Sequence, residues 1–228
     1  GDSLISVLPC NENQDVFLAT YRGRCIRFPV NEIRVFAGRN STGVRGMNLG
    51  ADDRIIGMAM LTHGESDATV RAAYIKQSRA LRRAATGVDE EASDDEEATT
   101  LTLTDEQMAR MAADEQFILT ISENGFGKRT EVEEYRAQSR AGKGILTYKT
   151  TDKTGHIIGI KVVDDDDDIM IITDTGVIIR IHAKDISVLG RNTQGVTLMR
   201  TSDGGKVVNI AKLIPEDEHD KQINMENL

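Results

Sequence analysis

Short apolar and β-branched runs of about five residues, each broken by a turn signal, set the rhythm of most of this 228-residue chain. Residues 17–21 (FLATY) and 25–28 (CIRF) flank Arg22-Gly23. Residues 169–173 (IMIIT) and 177–181 (VIIRI) flank Asp174-Thr175-Gly176, and Glu123-Asn124-Gly125 occupies the same setting between them. Apolar runs around a glycine-containing turn signal an antiparallel hairpin. The pattern predicts a third strand after a second glycine, at 44–49, 145–149 and 196–200, and a fourth at 54–61, 156–163 and 206–214. Four short strands per unit make one propeller blade. Residues 3–8 share the character of the fourth strands and read as the end of a preceding blade.

The rhythm comes from one sequence written three times, at 15–61, 116–163 and 168–214. Its turn glycines fall in register as Gly23, Gly125 and Gly176, then Gly43, Gly144 and Gly195. Arg27, Arg129 and Arg180 follow the first glycine at one offset, and Arg39, Arg140 and Arg191 precede the second at another. A strand-built repeat of about fifty residues predicts a propeller-like array rather than a single-core enzyme. The expected fold is all-β, with about three four-stranded blades. Residues 1–14 end a preceding blade, and the blades occupy 15–63, 115–163 and 164–215.

Residues 64–114 break the pattern. Residues 69–85 (TVRAAYIKQSRALRRAA) are rich in helix formers, with Tyr74, Leu81 and Ala85 on one side. Residues 89–97 (DEEASDDEE) are an acidic run expected to be solvated and mobile. Thr104-Asp105-Glu106-Gln107 has capping-box spacing ahead of a second short helix at 108–113. A helical, partly disordered insertion between blades is the expectation, with a flexible acidic tail at 216–228.

The net charge of −9 changes meaning once it is divided by region. Residues 64–114 hold 12 acidic and 6 basic side chains, and residues 216–228 hold 5 and 1. The remainder holds 21 basic against 20 acidic, so the blades are near neutral and the acidity belongs to the insertion and tail. Phosphate binding depends on one face rather than on the sum, so the total does not exclude a nucleic-acid partner. Two cysteines, Cys10 and Cys25, make neither a disulfide framework nor metal-site spacing and favour a reducing cytosol with structural roles for both. No apolar run reaches membrane-span length and no leader opens the chain. The first residue is Gly, which suggests a start partway through a longer protein.

The candidate chemistry lies in the repeated loops. Gly190-Arg191-Asn192-Thr193-Gln194-Gly195 is echoed by Gly38-Arg39-Asn40-Ser41-Thr42-Gly43 and more loosely by Ser139-Arg140-Ala141-Gly142-Lys143-Gly144. Such a loop can turn backbone N–H groups and a cationic side chain onto a phosphate, or can simply use its glycines for positive φ. One outward arginine per blade at Arg27, Arg129 and Arg180 would form a basic rim suited to duplex DNA, against the plainer reading of surface charge pairs. Asp164 to Asp168 lack the alternating spacing of a calcium loop and read as a solvated connector. His63, His156, His182 and His219 lack zinc spacing, and no nucleophile elbow, Walker loop or triad is recognisable.

At these residues the chain resembles the family of DNA gyrase A C-terminal domains. The similarity covers all three repeats and is most specific at 124–130 (NGFGKRT), 168–176 (DIMIITDTG) and 186–196 (ISVLGRNTQGV). The resemblance implies a six-bladed β-pinwheel with strand exchange between blades, of which these are the last three. It also implies DNA bent around a basic rim, in support of negative supercoiling by a bacterial, cytoplasmic, nucleoid-associated type IIA topoisomerase. Implied partners are double-stranded DNA, the rest of gyrase A, and gyrase B, with no membrane and no small-molecule substrate. ATP and Mg²⁺ would serve other parts of the parent enzyme, and this chain is expected to need no cofactor and to hold no catalytic residue. Tyr21, Tyr74, Tyr135 and Tyr148 lack the context of a DNA-cleaving tyrosine. The family's first-blade box, Gln-Arg-Arg-Gly-Gly-Lys-Gly, is absent, and residues 138–144 are a degenerate echo of it. The expected DNA contacts are Arg27, Arg39, Arg129, Arg140, Lys143, Arg180 and Arg191. Two alternatives stand beside this reading, the matching domain of topoisomerase IV, which supports decatenation, and a protein-interaction propeller.

Overall fold

A computed structural model describes residues 3–64, 66–87, 98–201 and 204–213. Three antiparallel sheets follow one another along the chain. Blade one is built on β1 (Gln14–Thr20), β2 (Arg24–Pro29) and β3 (Ile55–Thr62). After two helices, α1 (Ala68–Thr86) and α2 (Asp105–Ala113), blade two holds β4 (Phe117–Ser122), β5 (Phe126–Glu131), the short β6 (Ile145–Leu146) and β7 (Ile157–Val163). Blade three holds β8 (Asp168–Thr173), β9 (Ile178–His182), the short β10 (Val196–Thr197) and β11 (Val207–Leu213). The turn glycines Gly23, Gly125 and Gly176 all adopt positive φ, as do Gly43, Gly144 and Gly195.

The blades are stitched by strand exchange. The sheet orders are β3-β1-β2-β6, β10-β5-β4-β7 and β11-β8-β9. Each short strand therefore leaves its own blade and pairs with the hairpin of the blade before it, β6 on β2 and β10 on β5. The expected third strands shrink to two residues in blades two and three, and 44–49 forms no strand. A strand needs a neighbouring strand edge for its ladder, and among the described residues 44–49 meets only the loop at 141–142. Residues 3–8 form no strand for the same reason, and Leu4 and Val7 are exposed.

The two largest apolar cores lie between successive blades, while a smaller one around Ile26, Phe28 and Met47 belongs to blade one alone. Phe17, Ala19, Cys25 and Leu61 of blade one meet Ile118, Tyr135, Tyr148 and Ile157 of blade two, and Leu119, Ile121 and Val163 of blade two meet Ile169, Ile171 and Ile186 of blade three. Phe17 and Tyr135 pack edge to face at 5.0 Å. Burial pushes the Cys25 thiol up to about 12, so it behaves as a core residue, whereas Cys10 is exposed.

Both helices of the insertion form. Asp67 caps α1, Gly87 closes it in the left-handed conformation, and Thr104 with Gln107 completes the capping box of α2. The buried side of α1 is Ala72, Ala73, Tyr74, Ile75 and Ser78. Leu81 and Ala85 face outward instead, because the packed side of the helix is set by Tyr74 against Leu103, Met108 and Met111 and by Arg82 against blade two. Of the expected acidic run, 89–97 lies outside the described residues, as does the tail at 216–228.

The helix docks through charge. It carries five basic residues and no acid, and Arg82 reaches Glu131 at 2.7 Å and Glu134 at 3.5 Å. Beside this contact Glu115 is half-buried in a cavity of about 630 Å³ between the insertion and blade two, a volume of the size of a small-ligand cleft. Its carboxyl accepts the Val132 N–H at 2.9 Å. Burial, with Glu131 and Glu133 nearby, pushes Glu115 up to about 8. A carboxyl whose folded value is raised favours the protonated form, so its contribution is present at acid pH and is lost as pH rises through about 8. Thermal stability is expected to fall as pH rises from about 4.5 to about 8 with a component that Glu115→Gln removes, measured by melting both proteins across that range.

Candidate nucleic-acid interface

The repeated arginines of the first two hairpins point inward, which overturns the expectation of an outward rim. Arg27 is 5% exposed. Its Nε donates to Asp15 at 2.7 Å, and its terminal nitrogens donate to the carbonyls of Thr62, Val132 and Tyr135. Arg129, equally buried, donates to the carbonyls of Ile186 at 2.9 Å and Lys184 at 3.3 Å, pairs with Asp165 and lies over the ring of Phe117. In both cases acceptor carbonyls lie in or beside the 3-10 turn that follows the hairpin of the next blade, Val132–Glu134 or Ala183–Asp185. One arginine per blade thus ties its strand to the following blade. Burying the guanidinium is tolerated because each of its three nitrogens finds an oxygen. Arg180 repeats the sequence position but is exposed and, among the described residues, pairs with Asp168 of its own blade alone.

The glycine loops are held by a second repeated bond. The Arg140 N–H donates to the Glu32 carboxylate and the Arg191 N–H to the Glu134 carboxylate, both at 2.9 Å. Glu32 and Glu134 end the 3-10 turns of the preceding blades. Arg140 is half-buried, with Nε on the Glu32 carbonyl and a terminal nitrogen on the Arg45 carbonyl. Arg191 is buried and donates to the Leu146 carbonyl at 2.9 Å. Lys128 is fully buried, and its ammonium donates to the carbonyls of Gly190, Arg191 and Thr193 inside the loop. Lys128 was not among the expected site residues. Its signal was the apolar Ile26 and Ile179 at the same place in the other copies, which marks the position as interior.

Arg39, Lys143 and Arg180 are the expected contacts that remain exposed. Around Lys143 the fold gathers cations that the repeat did not flag. Arg24 donates to the carbonyls of Lys143 and Gly144, which places its guanidinium on the same loop, and Arg45 lies against Arg140. Lys149 stands beside the next loop, with its N–H on Thr193. Among the described residues Arg24, Arg45, Lys143 and Lys149 are exposed and have no carboxylate partner. They form a basic patch spanning two successive glycine loops, with side chains able to reach a phosphate.

The five-aspartate run connects blades two and three with Asp164, Asp165 and Asp166 exposed, and it also carries ion pairs. Asp165 pairs with Arg129, Asp167 accepts the Asp164 N–H and pairs with Lys212 at 2.6 Å, and Asp168 holds Arg180 and His182. The neighbouring Arg180 keeps the Asp168 carboxyl below the usual carboxylate range. The run serves to neutralise cations of blades two and three. Among the described residues no helix is long and apolar enough to cross a membrane.

The sequence profile of a family described as DNA gyrase C-terminal domain, beta-propeller, matches residues 14–62, 116–164 and 167–213. The DNA gyrase A protein of Rickettsia bellii is 42% identical over 225 residues, covering 99% of this chain and 24% of that protein. The DNA gyrase A protein of Salmonella typhimurium is 34% identical over 221 residues, covering 96% of this chain and 19% of that protein. The chain thus spans about a quarter or less of the length of the curated relatives it matches. Among solved structures, a DNA gyrase A C-terminal domain superposes with a TM-score of 0.61 at 19% identity, covering 89% of this chain and 52% of that one. The C-terminal domain of DNA topoisomerase IV gives 0.63 at 21% identity, covering 95% and 52%. At these identities the structural likeness establishes the fold.

Proposed function

The chain belongs to the DNA gyrase C-terminal domain family, and from that premise we propose that it is a duplex-DNA-binding and DNA-bending module of gyrase A. The observation that carries the reading is the set of exposed cations Arg24, Arg45, Lys143 and Lys149 around two successive blade loops, none of them ion-paired to a carboxylate among the described residues. Cations repeated along successive blades neutralise phosphates without reading bases, so affinity follows counterion release. Supercoiling, gyrase B, ATP and Mg²⁺ belong to the parent assembly, and a place beside the bacterial nucleoid follows from the DNA partner. The 42% relative, itself a DNA gyrase A, supports this assignment over topoisomerase IV.

The test is a gel shift on long and short duplexes across a salt series. Affinity is expected to fall steeply with salt and to favour the long duplex. The doubly neutralised Arg45→Gln/Lys143→Gln protein should lose about two units of the log–log salt slope, roughly one per phosphate contact. Neither side chain carries a structural bond among the described residues, so melting should be unchanged. A salt-insensitive interaction, or a slope unaltered in the double variant, would overturn the proposal.

A further inference from the structure

The cavity of about 630 Å³ beside the helical insertion has an apolar wall and an acidic one. Val70 of α1, Met111 of α2 and Val132 supply the apolar surface. Glu133, in the 3-10 turn after β5, and Glu115, in the link from α2 to β4, supply the acidic one. The two oxygens of Glu115 differ. Oε1 accepts the N–H groups of Gln116 at 3.1 Å and Val132 at 2.9 Å. Oε2 is buried and has no hydrogen-bond partner, and among the described residues no cation pairs with the carboxyl. A buried acceptor without a donor is costly, and a buried carboxylate without a cation more so.

The donors that border the cavity are committed elsewhere or stand outside it. Arg27 places its three nitrogens on Asp15 and on the carbonyls of Thr62, Val132 and Tyr135. The His63 ring is bonded through Nδ1 to Asp15 at 2.7 Å. Arg110 is exposed on α2. The capacity left unmet inside is therefore that of an acceptor. A metal ion does not suit it, since among the described residues no three His, Cys, Asp or Glu side chains gather as ligands.

We propose that this cavity binds an aliphatic amine, its ammonium held by Oε2 of Glu115 and by Glu133 and its methylenes laid against Val70, Met111 and Val132. An ammonium brings three donors to carboxylates that the fold leaves underused, and a short apolar chain suits the other wall. Binding is linked to a proton. Burial, with Glu131 and Glu133 nearby, pushes the empty Glu115 carboxyl up to about 8, so it is mostly protonated at neutral pH. Burial raises Glu133 too, against the pull of Arg27 and Arg71. Tyr74 of α1, pushed up by burial and by the same glutamates, keeps its proton. An arriving ammonium favours the carboxylate, so at neutral pH Glu115 gives its proton to solvent as the amine binds. The site lies apart from Arg24, Arg45, Lys143 and Lys149, and amine binding stands or falls independently of the DNA-binding reading.

The experiment titrates putrescine, a four-carbon diamine, into the whole 228-residue chain at neutral pH by isothermal calorimetry, without DNA. Saturable one-to-one binding is expected, with about one proton released, read from the heats in buffers of different ionisation enthalpy. Glu115→Gln keeps the oxygen that Val132 and Gln116 bond, so it should fold, yet it should bind about tenfold or more weakly and release no proton. Arg110→Glu removes a like charge near the site and should tighten binding about two- to fivefold, a gain that damage to the fold cannot produce. Glu106→Gln, exposed on α2 and outside the cavity, should bind as the parent does. The proposal is lost if no saturable heat appears, if Glu115→Gln binds as tightly as the parent, or if magnesium chloride gives the same one-to-one heat.

Discussion

Arg129→Glu is expected to destabilise the fold by about 3 to 5 kcal/mol, the cost of breaking a buried ionic network, while Arg180→Glu leaves the melting temperature where it is. The two residues hold the same place in the repeat, so the contrast isolates environment from sequence. Arg129 loses bonds to Ile186 and Lys184, and the new carboxylate faces Asp165 with two carbonyls left against it. Arg180 lies at the surface, and its partner among the described residues, Asp168, keeps His182 as a second partner. For a chain of this size the first loss corresponds to a drop of roughly 10 °C or more. Arg27→Glu should follow Arg129→Glu, because Arg27 bonds Asp15 and three carbonyls at the other junction. Melting followed by circular dichroism decides the matter, and equal melting of the Arg129 and Arg180 variants would refute the junction role.

The contrast also marks where the sequence stopped being legible. Hairpins, turn glycines and the register of the three copies were readable, because each rests on local spacing and on positive φ at fixed places. The direction of the repeated arginines was not. Alternation assigns one face of a strand to solvent, but here consecutive sheets bury both faces, as Lys128, Arg129, Thr130 and Glu131 in β5 attest. A clue existed in Asp15 and Asp168, each twelve residues before its arginine and bonded to it. In blade two Phe117 holds that place and the carboxylate comes from Asp165 instead, so the clue was visible in two copies and broken in the third. The basic patch was legible only at Lys143. Arg24, Arg45 and Lys149 come together through strand exchange, a long-range pairing that no local pattern encodes. The helical insertion was readable from its caps, but its charge was misleading as a sum, since α1 carries basic residues only and docks on the glutamates of blade two.

Lys128→Met should be among the most damaging single changes in the chain even though it removes a charge from the core and nearly keeps the length of the side chain. The ammonium gathers the Gly190 carbonyl at 2.6 Å, the Arg191 carbonyl at 2.8 Å and the Thr193 carbonyl at 3.1 Å, with the Thr193 hydroxyl at 3.2 Å. Methionine fills the space and donates nothing. The Gly190 carbonyl keeps the Thr193 hydroxyl and the Thr193 carbonyl keeps the Lys149 N–H, but the Arg191 carbonyl loses this donor and all three turn towards a thioether. Each buried acceptor deprived of a donor costs about 1 to 3 kcal/mol, so a loss of roughly 3 kcal/mol is expected. Ile26→Met, at the matching place in blade one, should cost under about 1.5 kcal/mol, because it exchanges one apolar group for another of similar volume. Lys128→Ile, which copies blades one and three, should fail as Lys128→Met does, since residues 190–195 aim their carbonyls inward at a cation whereas Gly142 of blade two lies against the methyl of Ile26. Hydrogen exchange locates the effect. Protection should fall first at 190–197, where the loop and β10 lean on blade two, and only later in β8 and β11. Uniform loss across all three blades would place Lys128 in a general core rather than in the seat of that loop.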